Sequence, residues 1–140
     1  MLEGVPRVGL VYRLLGIGLV ALGTVFALLS YLGVAPLLDL PDDTNALFAY
    51  VMSAVTGVLI VVAVLVLKPG VPERRGSQSV QEYWSTPAAQ RALLVWFVLE
   101  GAGTLSLMGF LLTGETAAAV AAGVAMVAYW RVGPGVFART

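Results

Sequence analysis

Glu100 is the side chain best suited by its type and position to take part in chemistry, because it is the one charged residue between Arg91 and Glu115 in a long apolar stretch. Nine helical residues at about 1.5 Å each place it roughly 14 Å beyond Arg91. If that stretch crosses a membrane, an ionised carboxylate at this depth costs about 2.5 to 3.5 kcal/mol and must be protonated, paired or hydrated. No Lys or Arg lies at a matching depth, and burial disfavours the charged form. We therefore expect Glu100 to be mostly protonated at neutral pH.

Three roles are open to this acid. As a structural residue it would donate a hydrogen bond between helices, and the available partners are hydroxyls: Thr104 one turn away, and Ser53, Thr56, Thr24 or Ser106. As an ion site it would carry a proton or Na⁺ and would need a hydrated path or a moving counterpart. As an assembly residue it would bind a polar or cationic group on another membrane subunit.

The remaining residue types argue against an enzyme. The chain has no Cys and no His, which removes thiolate and imidazole metal ligands and the usual nucleophile and base pairs. Asp39, Asp42 and Asp43 could bind a divalent cation through their oxygen atoms. The preferred interpretation is that they cap the second helix and set its orientation. We predict no catalytic site, no cofactor and no metal site.

Composition indicates a membrane protein. The 140 residues are 59% hydrophobic and 11% charged, and the mean hydropathy of +0.93 lies outside the range of soluble domains. Eight basic and eight acidic residues cancel, so no net field would attract nucleic acid. The chain is predicted to be a single integral membrane domain with no nucleic-acid partner.

Four apolar stretches are predicted to cross a hydrocarbon core of about 30 Å, which takes about 20 helical residues. They cover about 14–38, 46–67, 88–113 and 116–133, with a loop over 69–87. Lys68-Pro69-Gly70 ends the second stretch, and Thr86 and Pro87 begin the third as N-cap and first helical residue. The fourth is short, but Arg131 can extend its charge to the interface. The predicted fold class is an all-α transmembrane four-helix bundle.

Orientation follows from the charges. All basic residues fall on one side of the predicted spans: Arg7, Arg13, Lys68, Arg74, Arg75, Arg91, Arg131 and Arg139. The other side carries only acidic residues: Asp39, Asp42, Asp43 and Glu115. The positive-inside rule therefore predicts an inner (plasma) membrane protein with both termini in the cytoplasm. Five aromatic residues fall near the same boundary: Tyr12, Tyr83, Trp84, Tyr129 and Trp130.

Small residues indicate where helices approach closely. In the last helix they include Ala118, Ala121, Ala122 and Ala125, and in the third helix Gly101 and Gly103 flank Glu100. This pattern predicts a central position for the last helix, in the bundle or in a homo-oligomer, although an Ala-rich composition would also arise from a GC-rich genome.

The order of charges and turns in the two halves of the chain is similar. Each half has a basic start, a helix, an acidic turn, a second helix, and then a basic residue followed by Pro and Gly. Two tandem helical hairpins, and a parallel internal repeat, are therefore a possible organisation.

The polar loop between the second and third helices allows two interpretations. It contains Arg74 and Arg75 and ends in an aromatic segment with Trp84. The preferred interpretation is a solvated linker with an aromatic anchor. The alternative is a docking site for a cytoplasmic partner or for anionic membrane lipids, which basic residues beside a membrane attract.

Two resemblances concern the second half of the chain. Leu99-Glu100-Gly101-Ala102, followed by Phe110-Leu111-Leu112-Thr113-Gly114 and a short final helix, resembles a group of small uncharacterised bacterial membrane proteins with LEG and LLTG motifs. More distantly, two hairpins with one membrane acid resemble the proteolipid subunits of rotary ATPases, which implies an ion-carrying carboxylate. In those subunits the acid lies in the second helix of its hairpin, whereas Glu100 lies in the first.

These observations lead to one expectation for function. The chain is expected to be an accessory or structural subunit of a membrane complex, or a homo-oligomer, in contact with membrane lipids. The alternative is a proton- or cation-handling component that uses Glu100.

Overall fold

The computed structural model describes residues 7–137 and contains only helices and their connections in that range. The helices are α1 (Arg7–Tyr31), α2 (Asp42–Val61), α3 (Val80–Trp84), α4 (Ala88–Thr113), α5 (Thr116–Arg131) and α6 (Pro134–Phe137). Three are long and apolar enough to cross a membrane: α1, α2 with its continuation to Gly70, and α4. The shorter α5 is also apolar. Arg139 lies outside the described residues.

The helical axis of α2 continues beyond Val61 in a different geometry. Residues Val62–Leu67 are π-helical, and Lys68–Gly70 form a 3₁₀ turn. The whole segment Asp42–Gly70 is 29 residues long. It ends at the proline and glycine that were expected to stop it, because proline lacks the N–H that would continue the helix.

The predicted first span of 14–38 has the wrong helical bounds. Within the described residues the helix covers Arg7–Tyr31, and Gly33 then takes a left-handed conformation with φ of +79°. The apolar residues that follow are not helical, and Leu37 and Leu38 donate backbone hydrogen bonds to the carbonyls of Leu111 and Leu112 at 3.1 and 3.0 Å. Apolar composition alone does not distinguish such a segment from a helix. The last span is also shorter than 116–133, since α5 ends at Arg131.

The packing order differs from two tandem hairpins. Helices α4 and α5 form an antiparallel hairpin joined by Gly114 and Glu115, and both α1 and α2 pack on α4. Helix α2 also packs on α5, while α1 and α2 make almost no contact with each other. The first predicted hairpin is therefore not formed as a packed unit. Viewed along the helices, α4 and α5 form the short diagonal of a rhombus, with α1 and α2 at its far corners.

Charges separate to the two ends of this arrangement. We call basic end the one that carries Arg7, Arg13, Lys68, Arg74, Arg75, Arg91 and Arg131, and acidic end the one that carries Asp39, Asp42, Asp43 and Glu115. Contacts between the start of α1 and the end of α5, and from Arg91 to Gly70, close the basic end. Contacts from Asn45 to Thr113 and Glu115 close the acidic end.

Between the two ends the outer faces of the helices are apolar. Large apolar side chains with half or more of their surface exposed include Leu14, Ile17 and Leu28 on α1, Leu47, Val58 and Leu65 on α2 and its continuation, and Val120, Val124 and Val127 on α5. A contiguous apolar surface of this kind is not typical of a protein surrounded by water. The exposed valines also show that α5 has an open outer face within one chain, and its predicted central position in an oligomer stays a prediction. The most enclosed helix is α4.

Candidate functional site

Glu100 lies near the middle of α4 and is half-buried. Its Oε1 atom accepts a hydrogen bond from the Thr104 hydroxyl at 3.1 Å. The two residues are four apart on one helix, so the bond forms within α4 and does not join two helices. Thr104 is also half-buried. The pair is thus a local unit that α4 presents to its surroundings.

Helical spacing places the Glu100–Thr104 pair at the border between a buried and an exposed stripe of α4. The buried stripe contains Trp96, Gly103 and Leu107. The neighbouring exposed stripe contains Phe97, which is 51% exposed, and Met108, which is 39% exposed. Gly101 belongs to this outer stripe as well. Glu100 can therefore be reached from outside the chain without unpacking a helix.

The Tyr129 hydroxyl donates to the backbone carbonyl of Tyr12. Its proton is therefore already engaged with α1.

The other hydroxyls considered as partners of Glu100 bond elsewhere. Thr56 of α2 and Ser106 of α4 form a buried hydrogen bond of 2.7 Å, and Thr56 also donates to the carbonyl of Met52 at 2.9 Å. Thr24 and Ser53 donate to the carbonyls one turn before them, Val20 and Ala49. Of the hydroxyls considered, only Thr104 is brought to the acid. The Thr56–Ser106 bond instead joins α2 to α4.

The predicted packing residues do not all contact another helix. Ala118, Ala122 and Ala125 are buried on one side of α5, and a Cβ placed on Gly103 would lie 3.6 Å from that of Ala125. Ala121 is half-buried. Gly101 has no neighbouring atom of the described residues within 4 Å of where its Cβ would be, so it packs on no helix of this part of the chain, and its role in packing stays a prediction. The physical reason is its position on the outer stripe of α4.

Aromatic residues at the basic end form one cluster, which their predicted position at a membrane boundary did not indicate. Tyr12 stacks on Tyr129 with ring centroids 4.7 Å apart, and each hydroxyl donates to the other residue's backbone carbonyl. Trp96 lies 4.9 Å from Tyr12 and donates its indole N–H to the carbonyl of Val132 at 2.6 Å. Trp84 is buried beside Trp96, whereas Trp130 is 48% exposed. The signal for this cluster in the sequence was that aromatic residues on antiparallel helices fall at the same end of the predicted spans.

A groove of about 470 Å³ lies at the basic end between the loop after α2 and the first turn of α4. Its walls include Arg75 and Arg91, together with Pro72, Glu73, Gln78, Tyr83, Thr86 and Pro87. The Tyr83 hydroxyl donates to the carbonyl of Pro72 at 2.6 Å, and burial raises the pKa of Tyr83 above its usual value. Arg74 does not line the groove, and its Nε atom is buried without a hydrogen-bond partner in the described residues. Arg131 lies on the surface at the same end.

The acidic end completes the hydrogen bonds of α4. The last four carbonyls of a helix lack partners within it. Here the carbonyl of Phe110 accepts from Gly114 at 2.7 Å, and that of Thr113 accepts from the Asn45 side chain at 2.8 Å. The remaining two accept from residues 37 and 38. The LLTG motif therefore forms a helix end in which each of the last four carbonyls accepts a hydrogen bond.

The three aspartates near this end do not form a metal site in the described part of the chain. Asp42 and Asp43 lie in the exposed first turn of α2, where negative charge stabilises the helix dipole. No group of three or more acidic, His or Cys side chains that could hold a metal ion occurs within residues 7–137.

Compared with protein-family models, curated proteins and solved structures, the chain has no match. The resemblances in the LEG and LLTG segments therefore stay predictions, and function must be argued from the arrangement of residues itself.

Proposed function

We propose that the chain is a four-helix transmembrane bundle of the inner membrane with both termini in the cytoplasm. Three helices have the length and composition for a span, and the apolar side chains between the two ends face outward. The separation of a basic from an acidic end supports the orientation.

Within that membrane, the proposed role is that of an accessory or structural subunit, which associates through α4 with another membrane helix. One observation carries this proposal: the half-buried Glu100–Thr104 pair borders the outer stripe of α4 that carries Gly101, and no atom of the described residues lies within 4 Å of a Cβ at Gly101. A polar pair in lipid gains from a partner that satisfies its remaining hydrogen-bonding capacity. A glycine without neighbours lets the backbone of that partner approach closely.

The experiment is native mass spectrometry of complexes extracted gently from the host membrane. Glu100→Gln should weaken the complex by about threefold to twentyfold, because interhelical polar contacts in membranes contribute about 0.6 to 1.7 kcal/mol. Gly101→Leu should weaken it as well, because the added side chain prevents the close approach of a partner backbone. Gly18→Leu is the matched control for Gly101→Leu, since Gly18 of α1 is equally free of neighbours. Ser106→Ala is the control for Glu100→Gln, because it removes a hydrogen bond inside the chain. A complex that survives both α4 variants contradicts the proposal.

A second candidate function is the handling of a proton or small cation by Glu100. The observation in its favour is that a carboxyl and a hydroxyl oxygen lie together at mid-helix in a half-buried position. Glu100 is not among the residues that line the groove around Arg75 and Arg91 or the cavity beside Lys68. Flux measurements in liposomes distinguish the two functions: Glu100→Gln should abolish transport in an assembled protein if the acid is the carrier.

A further inference from the structure

The groove at the basic end has the form of a ligand site. It measures about 470 Å³ and is bounded by residues 72–78 on one side and by Thr86, Pro87 and Arg91 at the start of α4 on the other. The two arginines that line it come from different walls. The lining has a net positive charge, because it contains these two arginines and Glu73 is the single acid among the lining residues.

Arg91 is held in place from within the chain and still has donors to offer. One of its Nη atoms donates to the carbonyl of Gly70 at 2.8 Å, which fixes the guanidinium against the end of the α2 segment. A guanidinium carries five N–H donors in a rigid fork that suits phosphate oxygens. One hydrogen bond to Gly70 therefore leaves the larger part of this fork for a ligand.

The loop wall is ordered by its own hydrogen bonds. The Tyr83 hydroxyl donates to the carbonyl of Pro72 and so holds the loop. At the start of α3, the backbone N–H of Glu82 donates to the Ser79 hydroxyl and the backbone N–H of Ser79 donates to the Glu82 carboxylate, each at 3.1 Å. Gln78 donates its backbone N–H to the carbonyl of Arg75 at 2.9 Å, which closes a turn around Arg75. Both arginines thus start from a preorganised backbone, and less conformational entropy is lost when an anion binds between them.

The position of the groove selects the kind of anion. It lies where α2 ends and α4 begins, beside the Tyr83 and Trp84 rings, and aromatic residues of this kind gather at the level of lipid headgroups. A second cavity of about 320 Å³ on the other side of Pro72 and Glu73 adds Lys68. Arginines at this level attract anionic headgroups.

We propose that the groove binds the phosphate of an anionic phospholipid between Arg75 and Arg91. The inference rests on the proposed membrane insertion. It is independent of the α4 contact through Glu100, which lies in the middle of the bilayer.

The test is native mass spectrometry of the purified full chain in detergent with added lipid, in which phosphatidylglycerol is compared with phosphatidylcholine. Wild type should retain phosphatidylglycerol preferentially. Arg75→Gln should lower that retention about fivefold, as expected for one arginine near a lipid headgroup. Arg75 is chosen because Arg91 also supports Gly70, so its loss would disturb the loop. Glu73→Gln should raise retention, since it removes the acid from the lining.

The matched control is Arg131→Gln, which removes the same charge from the same end but outside both cavities. Equal retention of the two lipids by wild type, or equal loss in the Arg75 and Arg131 variants, overturns the proposal. Displacement of the lipid by millimolar inorganic phosphate overturns the lipid source and assigns the groove to free phosphate. Alkaline extraction of host membranes is run separately: a chain that is released refutes the proposed insertion, whereas a retained chain without lipid preference refutes the groove alone.

Discussion

Gly16 shows how much one residue decides at the basic end. A Cβ at this position would lie 2.7 Å from a ring atom of Trp130 and 3.0 Å from one of Tyr129. These rings are rigid, and Tyr129 is further fixed by its reciprocal hydrogen bonds with Tyr12. The missing side chain of Gly16 is therefore what lets α5 bring its aromatic residues onto α1.

Gly16→Ala should lower the free energy of unfolding by about 1 to 2 kcal/mol, because the overpacking exceeds the gain in helix propensity. The measurement is reversible unfolding in detergent micelles. Gly18→Ala is the matched control in the same helix, since no atom lies within 4 Å of its added Cβ. It should leave stability unchanged or raise it by up to about 1 kcal/mol. Equal effects of the two changes would contradict the proximity of Trp130 to α1.

At the scale of the elements, the end of α4 depends on parts that are distant along the chain. Residues 37 and 38 and the Asn45 side chain supply donors to its last carbonyls, and Gly114 supplies one from the turn itself. Gly114 has φ of +70°, a backbone conformation that residues with a Cβ adopt only with strain. The added Cβ would also lie 3.4 Å from Pro36. The non-helical segment 34–38 and the α4–α5 turn therefore stabilise each other.

Gly114→Ala should lower the free energy of unfolding by about 1 to 2 kcal/mol through left-handed strain. Hydrogen exchange should increase at Leu37 and Leu38, because their acceptors are the carbonyls next to the strained turn. Gly123→Ala is the control, since Gly123 is helical and has open space around it. An alanine at 114 that is tolerated as well as one at 123 would show that the turn has a different conformation.

At the scale of the whole molecule, packing around α4 defines the arrangement. Helices α1 and α2 both contact α4 and hardly contact each other, although they are neighbours in sequence. The stripe of Gly103 and Leu107 faces α1 and α5, whereas Ser106 and Gly109 face α2. Different faces of one helix thus separate its partners.

Engineered disulfides test this arrangement directly, because the chain contains no cysteine of its own. The Cβ positions of residues 103 and 125 are 3.6 Å apart, within the range that a disulfide requires. Gly103→Cys with Ala125→Cys should therefore cross-link on mild oxidation, after a small shift of the Leu19 methyl groups. Gly101→Cys with Ala125→Cys should not, because residue 101 faces outward at a similar level. Electrophoresis after proteolysis in the α4–α5 turn reads out both, and efficient cross-linking of the second pair would refute the predicted face of α4.

The features that were predicted correctly are those that depend on composition or on residues close together in the sequence. Proline at 87, glycine at 114 and Lys68-Pro69-Gly70 mark helix ends through backbone chemistry that needs no tertiary contact. The all-helical class, the apolar lengths and the charge separation are equally local or compositional. Glu100 and Thr104 are found as a pair because their spacing of four residues on a helix already brings them together.

The sequence by itself therefore determined the helical class, the apolar segments, the two charged ends and the local Glu100–Thr104 unit. Tertiary structure decided that 34–38 is not helical, that Gly101 faces outward while Gly103 faces Leu19, and that Thr56 binds Ser106. It also decided that α1 and α2 pack on α4 and not on each other. The physical reason is that composition and spacing specify which side chains lie on each face of a single helix. Which of its faces meets a given neighbour depends on side-chain shape across segments that are far apart in the chain.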